Sequence, residues 1–274
     1  MKTLWIERKN FVVSGASSGL GKILTEKLLS LGCTVTGIGR SEKKFDDLKK
    51  SLGADAERLN VEIFDVTDES NWLELKEKLT EKYGKIDGII NCAGIFPPFS
   101  KAVNVPATEV EKVINTDFLS AVYAVTHLYP LIKDSPSAAI VNVSSASALA
   151  SIAGTSGYSA AKSALKSYTE ILAEELRGKA YVGLVMPGFA RTDIFRAQNT
   201  SMDENDLLIK FSMPAEKMAN KIFNGIIKKK KRMVFGADAH ALNFFNKFMP
   251  RTLTKIIPLV LKKSKMKLFK DLFD

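Results

Sequence analysis

The sequence predicts a single-domain α/β fold, a doubly wound parallel sheet of about seven strands with helices on both faces. Short apolar, β-branched runs alternate with helical stretches from residue 11 to about 236, as in a parallel sheet wrapped by helices. A glycine-rich turn joins the first of those strands to the first helix. The 274 residues are 46% hydrophobic and 26% charged, proportions of a globular protein that exclude a disordered or collagen-like chain.

Taken in order, residues 11–14 read as a strand, 19–31 as a helix and 34–38 as a second strand. Residues 58–64 give a third strand, 69–83 an amphipathic helix, 88–91 a short buried strand and 107–129 one long helical stretch. A strand at 140–143, a helix at 158–176, a strand at 182–186, a helix at 214–227 and a last strand at 233–235 complete the series. No repeat or low-complexity linker interrupts it. Residues 1–236 therefore read as one domain and 237–274 as a C-terminal extension, while 192–213 has mixed polarity without a period, as a lid would.

Several classes drop out. No run approaches the roughly 20 apolar residues of a membrane-spanning helix. The first ten residues are basic without an apolar core, so they are not a secretory signal, and a cytoplasmic location is expected. Cys33 and Cys92 have neither a C-x-x-C partner nor a histidine cluster, which points to free thiols in a reducing compartment and to no metal site.

The turn after the first strand reads Ser14-Gly15-Ala16-Ser17-Ser18-Gly19-Leu20-Gly21. Glycines there let the backbone approach a pyrophosphate, whose charge is met by the helix N-terminal N–H groups, so these residues are expected to bind a dinucleotide on a Rossmann-type sheet. The same letters satisfy G-x-S-x-G, a hydrolase elbow, but the position after the very first strand and the presence of only His127 and His240 argue against it. The second strand ends Gly39-Arg40. A carboxylate there would favour NAD(H); Arg40 offers charge-assisted bonds to a 2'-phosphate, so NADP(H) is preferred.

Tyr158 and Lys162 stand at i and i+4 and share a helix face. A nearby ammonium favours the phenolate, so the lysine is expected to lower the tyrosine's pKa and make it an acid/base.

Together these motifs resemble the short-chain dehydrogenase/reductase family over residues 10 to about 236. Ser14 replaces the threonine of its T-G-x-x-x-G-x-G turn, and Asp65-Val66 is similar to the pair that holds adenine. Asn91-Cys92-Ala93-Gly94 resembles N-N-A-G with Cys92 in place of the second asparagine. The resemblance implies that Asn115 is the structural and proton-relay asparagine, Ser145 the catalytic serine and Pro187-Gly188 with Thr192 the contact to the nicotinamide end. On the sequence alone, either Ser144 or Ser145 faces the pocket. Implied chemistry is hydride transfer to a carbonyl with Tyr158 as proton donor, Ser145 holding the oxygen and Lys162 binding the nicotinamide ribose. A homodimer or homotetramer is implied, joined through the long helices near Asn115 and Tyr158. The alternative is a cofactor-binding regulator or membrane-surface protein without turnover.

Residues 228–274 hold 13 Lys and Arg against three acids, so the tail carries the whole net charge of +10. Leu253, Ile256, Ile257, Val260 and Leu261 form a helical stripe flanked by lysines, with Pro258 inside it. Such a segment either lies on an anionic membrane surface or packs over the substrate mouth or a second subunit. Nucleic acid is not expected, because no reading module is present.

Overall fold

β1 (Asn10–Ser14) runs through the middle of a seven-stranded parallel sheet. The computed structural model describes residues 4–191, 212–249, 256–259, 262 and 272. β2 (Thr34–Gly39) and β3 (Leu59–Ile63) lie to one side of β1; β4 (Gly88–Asn91), β5 (Ala139–Val143), β6 (Tyr181–Pro187) and β9 (Arg232–Phe235) lie to the other. β7 (Ala190–Arg191) and β8 (Met213–Pro214) make a separate two-stranded ladder. Strand order reverses between β1 and β4, so the loops after their carboxyl ends part and leave a crevice there.

Alternation along the strands divides the core in two. Val12, Ile38 and Ile89 face Trp72, Leu75 and Leu79 of α3 (Glu69–Tyr83) and Leu128 of α5 (Ser120–Ile132). Val13, Ile90 and Val185 face Leu24 and Leu28 of α1 (Gly19–Ser30) and Ile222 of α7 (Ala215–Ile227). Truncating a fully buried side chain such as Trp72 would cost about 3–5 kcal/mol.

Three segments depart from the sequence reading. α2 (Glu42–Leu52) was not expected, because it buries only Phe45 and Leu48; its start is held by Ser41, whose Oγ accepts from Lys44 N. The stretch read as one helix is α4 (Ala107–Ile114), a π-helical turn at Asn115–Leu119, and then α5. α6 (Ser156–Glu175) packs against α4 and that turn. After β9, α8 (Ala237–Phe248) lies on the body of the protein: Ala239 is fully buried among Leu149, Leu184 and Met186, and Asn246 Nδ2 donates to Leu149 O at 2.6 Å. Among the described residues no helix is long and apolar enough to cross a membrane. Most of the expected lid, including Thr192, and Leu253, Val260 and Leu261 of the stripe lie outside the described residues.

Candidate active site

The crevice holds a cleft of about 320 Å³ lined from β1, β2, β4, β5 and β6 and their following loops. Its first wall is the glycine turn. Gly15 has φ +71°, and a Cβ there would stand 3.0 Å from the Ala93 backbone; one on Gly21 would stand 2.2 Å from Gly15 O. α1 opens with no side-chain cap from Ser18 and no acid in its first turn, so its N–H groups are left for an anion. Gly15, Ser18, Gly19, Leu20 and Gly21 all line the cleft, with Ala93 and Gly94 opposite. A pyrophosphate fits this cradle.

Three expected binding residues work behind that wall. Ser14 Oγ accepts from Cys92 N and Ala93 N, both at 3.2 Å, and ties the end of β1 to the end of β4. Asn91 Nδ2 donates to Asn142 Oδ1 at 2.8 Å, and Asn142 Nδ2 donates to Thr169 at 2.9 Å, a buried cross-link beneath the site. Ser17 turns toward Gly39, where a Cβ would come within 2.9 Å of its Oγ.

Arg40 lies on the cleft at the end of β2, and Lys44, one helical turn later, joins it. The sequence reading missed Lys44, although the i, i+4 spacing from Arg40 was legible. Asp65 and Val66 are not among the lining residues: Val66 is buried with Trp72, and Asp65 Oδ1 accepts from Thr67 N and Oγ. Burial works to raise the Asp65 pKa, but those two bonds and Arg40 outweigh it and bring it below the ordinary value.

At the centre lie Tyr158 and Lys162, both on the first half of α6. They are 8% and 4% exposed, and Lys162 Nζ stands 5.8 Å from the Tyr158 ring centre and donates to Val143 O at 3.1 Å. The structure divides the two serines. Ser144 Oγ donates to Lys162 O and is structural, whereas the Ser145 hydroxyl meets the Tyr158 phenol and accepts from Ser147 N. Both line the cleft.

Two corrections concern this centre. Asp117, not Asn115, faces Lys162: its Oδ2 lies 3.2 Å from Nζ, and its Oδ1 accepts from Ile95 N at 2.8 Å. Asn115, two residues earlier, is rotated about half a turn away and only half-buried. Nor is the Tyr158 pKa lowered. Burial raises it above the phenol's ordinary value, with Lys162 opposing and Asp117 reinforcing the rise. Burial also disfavours the charge on Lys162, but Asp117 more than compensates and leaves the lysine above its ordinary value. Cys92, on the same cleft, is pushed by burial up to about 11.

The remaining wall comprises Pro187, Gly188, Phe189 and Ala190, from the end of β6 to the start of β7, with Asp238 and Leu242 of α8. Phe96 stands edge-on to Tyr158 with ring centres 4.6 Å apart, and Leu272 joins Phe96, Phe99, Val113 and Tyr158 in one apolar cluster. The sequence reading allowed the extension to pack over the substrate mouth but assigned neither Asp238 nor Leu272 to the site. Among the described residues no cluster of His, Cys, Asp or Glu could hold a metal ion.

Comparison with known proteins agrees with this geometry. The family model for short chain dehydrogenases matches residues 9–203. The benzil reductase ((S)-benzoin forming) of Saccharomyces cerevisiae is 31% identical over 195 residues, spanning 68% of this chain and 73% of that protein. The NADPH-dependent pterin aldehyde reductase of Arabidopsis thaliana is 30% identical over 190 residues, 69% of this chain and 78% of that one. Among solved structures, a short-chain dehydrogenase from Streptomyces avermitilis superposes with a TM-score of 0.77 at 25% identity, covering 95% of this chain and all of that one. Since the matched stretch runs from β1 past β6 and takes in the glycine turn, Tyr158 and Lys162, the chain belongs to the short-chain dehydrogenase/reductase family and is an oxidoreductase.

Proposed function

We propose that the protein reduces the carbonyl of an apolar ketone or aldehyde to an alcohol, with NADPH in preference to NADH. The carrying observation is the cleft itself: the Ser145–Tyr158–Lys162 centre lies between a glycine cradle with two cations at its far rim and a wall of aromatic and aliphatic side chains.

The glycine turn and the α1 N-terminus would hold the pyrophosphate, Arg40 and Lys44 the 2'-phosphate, and Pro187 to Ala190 the nicotinamide end. Thr192, from the same motif, is assigned there as well. The bound dinucleotide supplies the hydride. Ser145 donates a hydrogen bond to the carbonyl oxygen and fixes it beside Tyr158, whose phenol gives up its proton as charge develops on that oxygen. Lys162 holds its ammonium beneath the ring and orients the nicotinamide ribose. Phe96 and Leu272 exclude water from the carbonyl, which favours apolar substrates. In this reading part of the extension closes the substrate side.

The test is NADPH consumption with benzil as probe carbonyl. Tyr158→Phe should lose about 10²- to 10⁴-fold in rate while still binding NADPH, as expected when a general acid is removed. Retained turnover would overturn the assignment.

A second reading concerns α8, whose Phe244 and Phe248 are 57% and 62% exposed beside Lys247. This face and the lysine-rich tail would rest on an anionic membrane surface from the cytoplasmic side. The body would assemble as a homodimer or homotetramer along α5 and α6, where Ile171 is exposed. Flotation with phosphatidylserine vesicles tests the membrane contact: Phe244→Glu with Phe248→Glu should abolish it, and unchanged flotation would dismiss it.

A further inference from the structure

The catalytic lysine is not a lone cation. Asp117 Oδ2 lies 3.2 Å from Lys162 Nζ, and the two side chains are 0% and 5% exposed. Asp117 is the buried residue of the π-helical turn at Asn115–Leu119, and Ile95 N donates to its other oxygen. Gly94 leaves the room: a Cβ there would come within 2.9 Å of Asp117 Oδ2 and 3.3 Å of Lys162 Nζ. Among the described residues, Tyr158 on α6, Cys92 after β4 and the Val143 carbonyl of β5 also face the pair.

We propose that Asp117 is a positioning residue that cancels the charge of Lys162 and thereby sets the upper pH limit to which Tyr158 keeps its proton. A carboxylate and an ammonium in contact carry no net charge as a unit. That is true whether the shared proton is drawn on the nitrogen or on the oxygen. A phenol beside a bare ammonium is acidified by the full charge; beside this neutral unit it feels only a dipole, while its own burial favours the protonated form. Cys92 stays a thiol through neutral pH and adds no charge, its pKa being about 11. The overall equilibrium ties the two directions of the reaction together at any given pH. Asp117 therefore moves the pH limits of reduction and oxidation alike, not the balance between them.

The inference rests on the carbonyl reduction proposed above, but its first readout does not. Ultraviolet difference titration of tyrosinate, on protein with NADP⁺ bound and against the matching Tyr158→Phe chain, isolates the ionisation of Tyr158. Asp117→Asn keeps an acceptor for Ile95 N and removes the charge. The Tyr158 midpoint should fall by about one pH unit or more, a tenfold change in its ionisation constant. A midpoint seen only in the variant, below the alkaline limit of the fold, counts as that fall. The pH above which benzil reduction declines should move down by the same amount. An unchanged or higher midpoint in the folded variant would overturn the proposal, and Asp117→Ser carries the same test if the asparagine variant does not fold. If wild-type protein leaves benzil untouched, the choice of substrate class fails while the titration still decides the role of Asp117.

Discussion

A methyl group on Gly188 would stand 2.1 Å from Asp238 Oδ1, while Asp238 Oδ2 accepts from Phe189 N at 2.7 Å. The turn after β6 is thus clamped onto the first turn of α8, and the wall of the cleft assigned to the nicotinamide depends on a helix that follows the last strand.

Asp238→Ala should remove the bond from Phe189 N to the carboxylate and lower stability by about 1–3 kcal/mol, the usual cost of losing a bond to a charged group. The Michaelis constant for NADPH should rise with it. Gly188→Ala should have a similar effect, because the added carbon would push the Asp238 carboxylate away from Phe189 N. Urea denaturation and NADPH titration of both variants check this.

Arg40→Ala and Lys44→Ala should each weaken NADPH while leaving NADH nearly unchanged, since only the former carries the 2'-phosphate. A loss of about tenfold per cation is expected, equivalent to roughly 1.4 kcal/mol. Equal losses for the two coenzymes would mean that this rim does not read the phosphate.

Tyr181 couples stability to alkaline pH. Burial raises its pKa above the ordinary 10.0, and its hydroxyl donates to Lys230 O at 2.8 Å. A group whose pKa is raised in the fold contributes its stability fully below the unfolded value, and that contribution is lost as pH rises toward the folded value. Unfolding free energy should therefore fall above pH about 10. Tyr181→Phe should cost about 1 kcal/mol at neutral pH and flatten the alkaline decline, as followed by urea denaturation.

Leu272→Ala should raise the Michaelis constant for benzil severalfold and leave that for NADPH unchanged, because the lost contacts are with Phe96, Phe99 and Tyr158 rather than with the glycine cradle. Steady-state kinetics with each component varied in turn distinguish the two. An unchanged constant for benzil would remove the tail from the substrate wall.

Strand and helix periodicity, the glycine turn and the paired Tyr158 and Lys162 made the sheet and the position of its cleft legible in the sequence, because each depends on neighbours within a few positions. Tertiary structure alone decided the rest. Asn115 and Asp117 lie two residues apart on one helical turn, and which of them meets Lys162 depends on how that turn is rotated against α6, which sequence spacing does not give. Ser144 and Ser145 are adjacent, and only the packing of α6 against β5 turns the first to the Lys162 carbonyl and the second to the phenol. Asp238 and Leu242 reach the cleft from beyond the last strand, and Leu272 joins the apolar cluster of Phe96 and Tyr158 beside it. Local pattern fixes which way a side chain leaves its own strand or helix; which groups share a solvent-poor volume, and hence what charge a buried phenol feels, is set only when those elements pack.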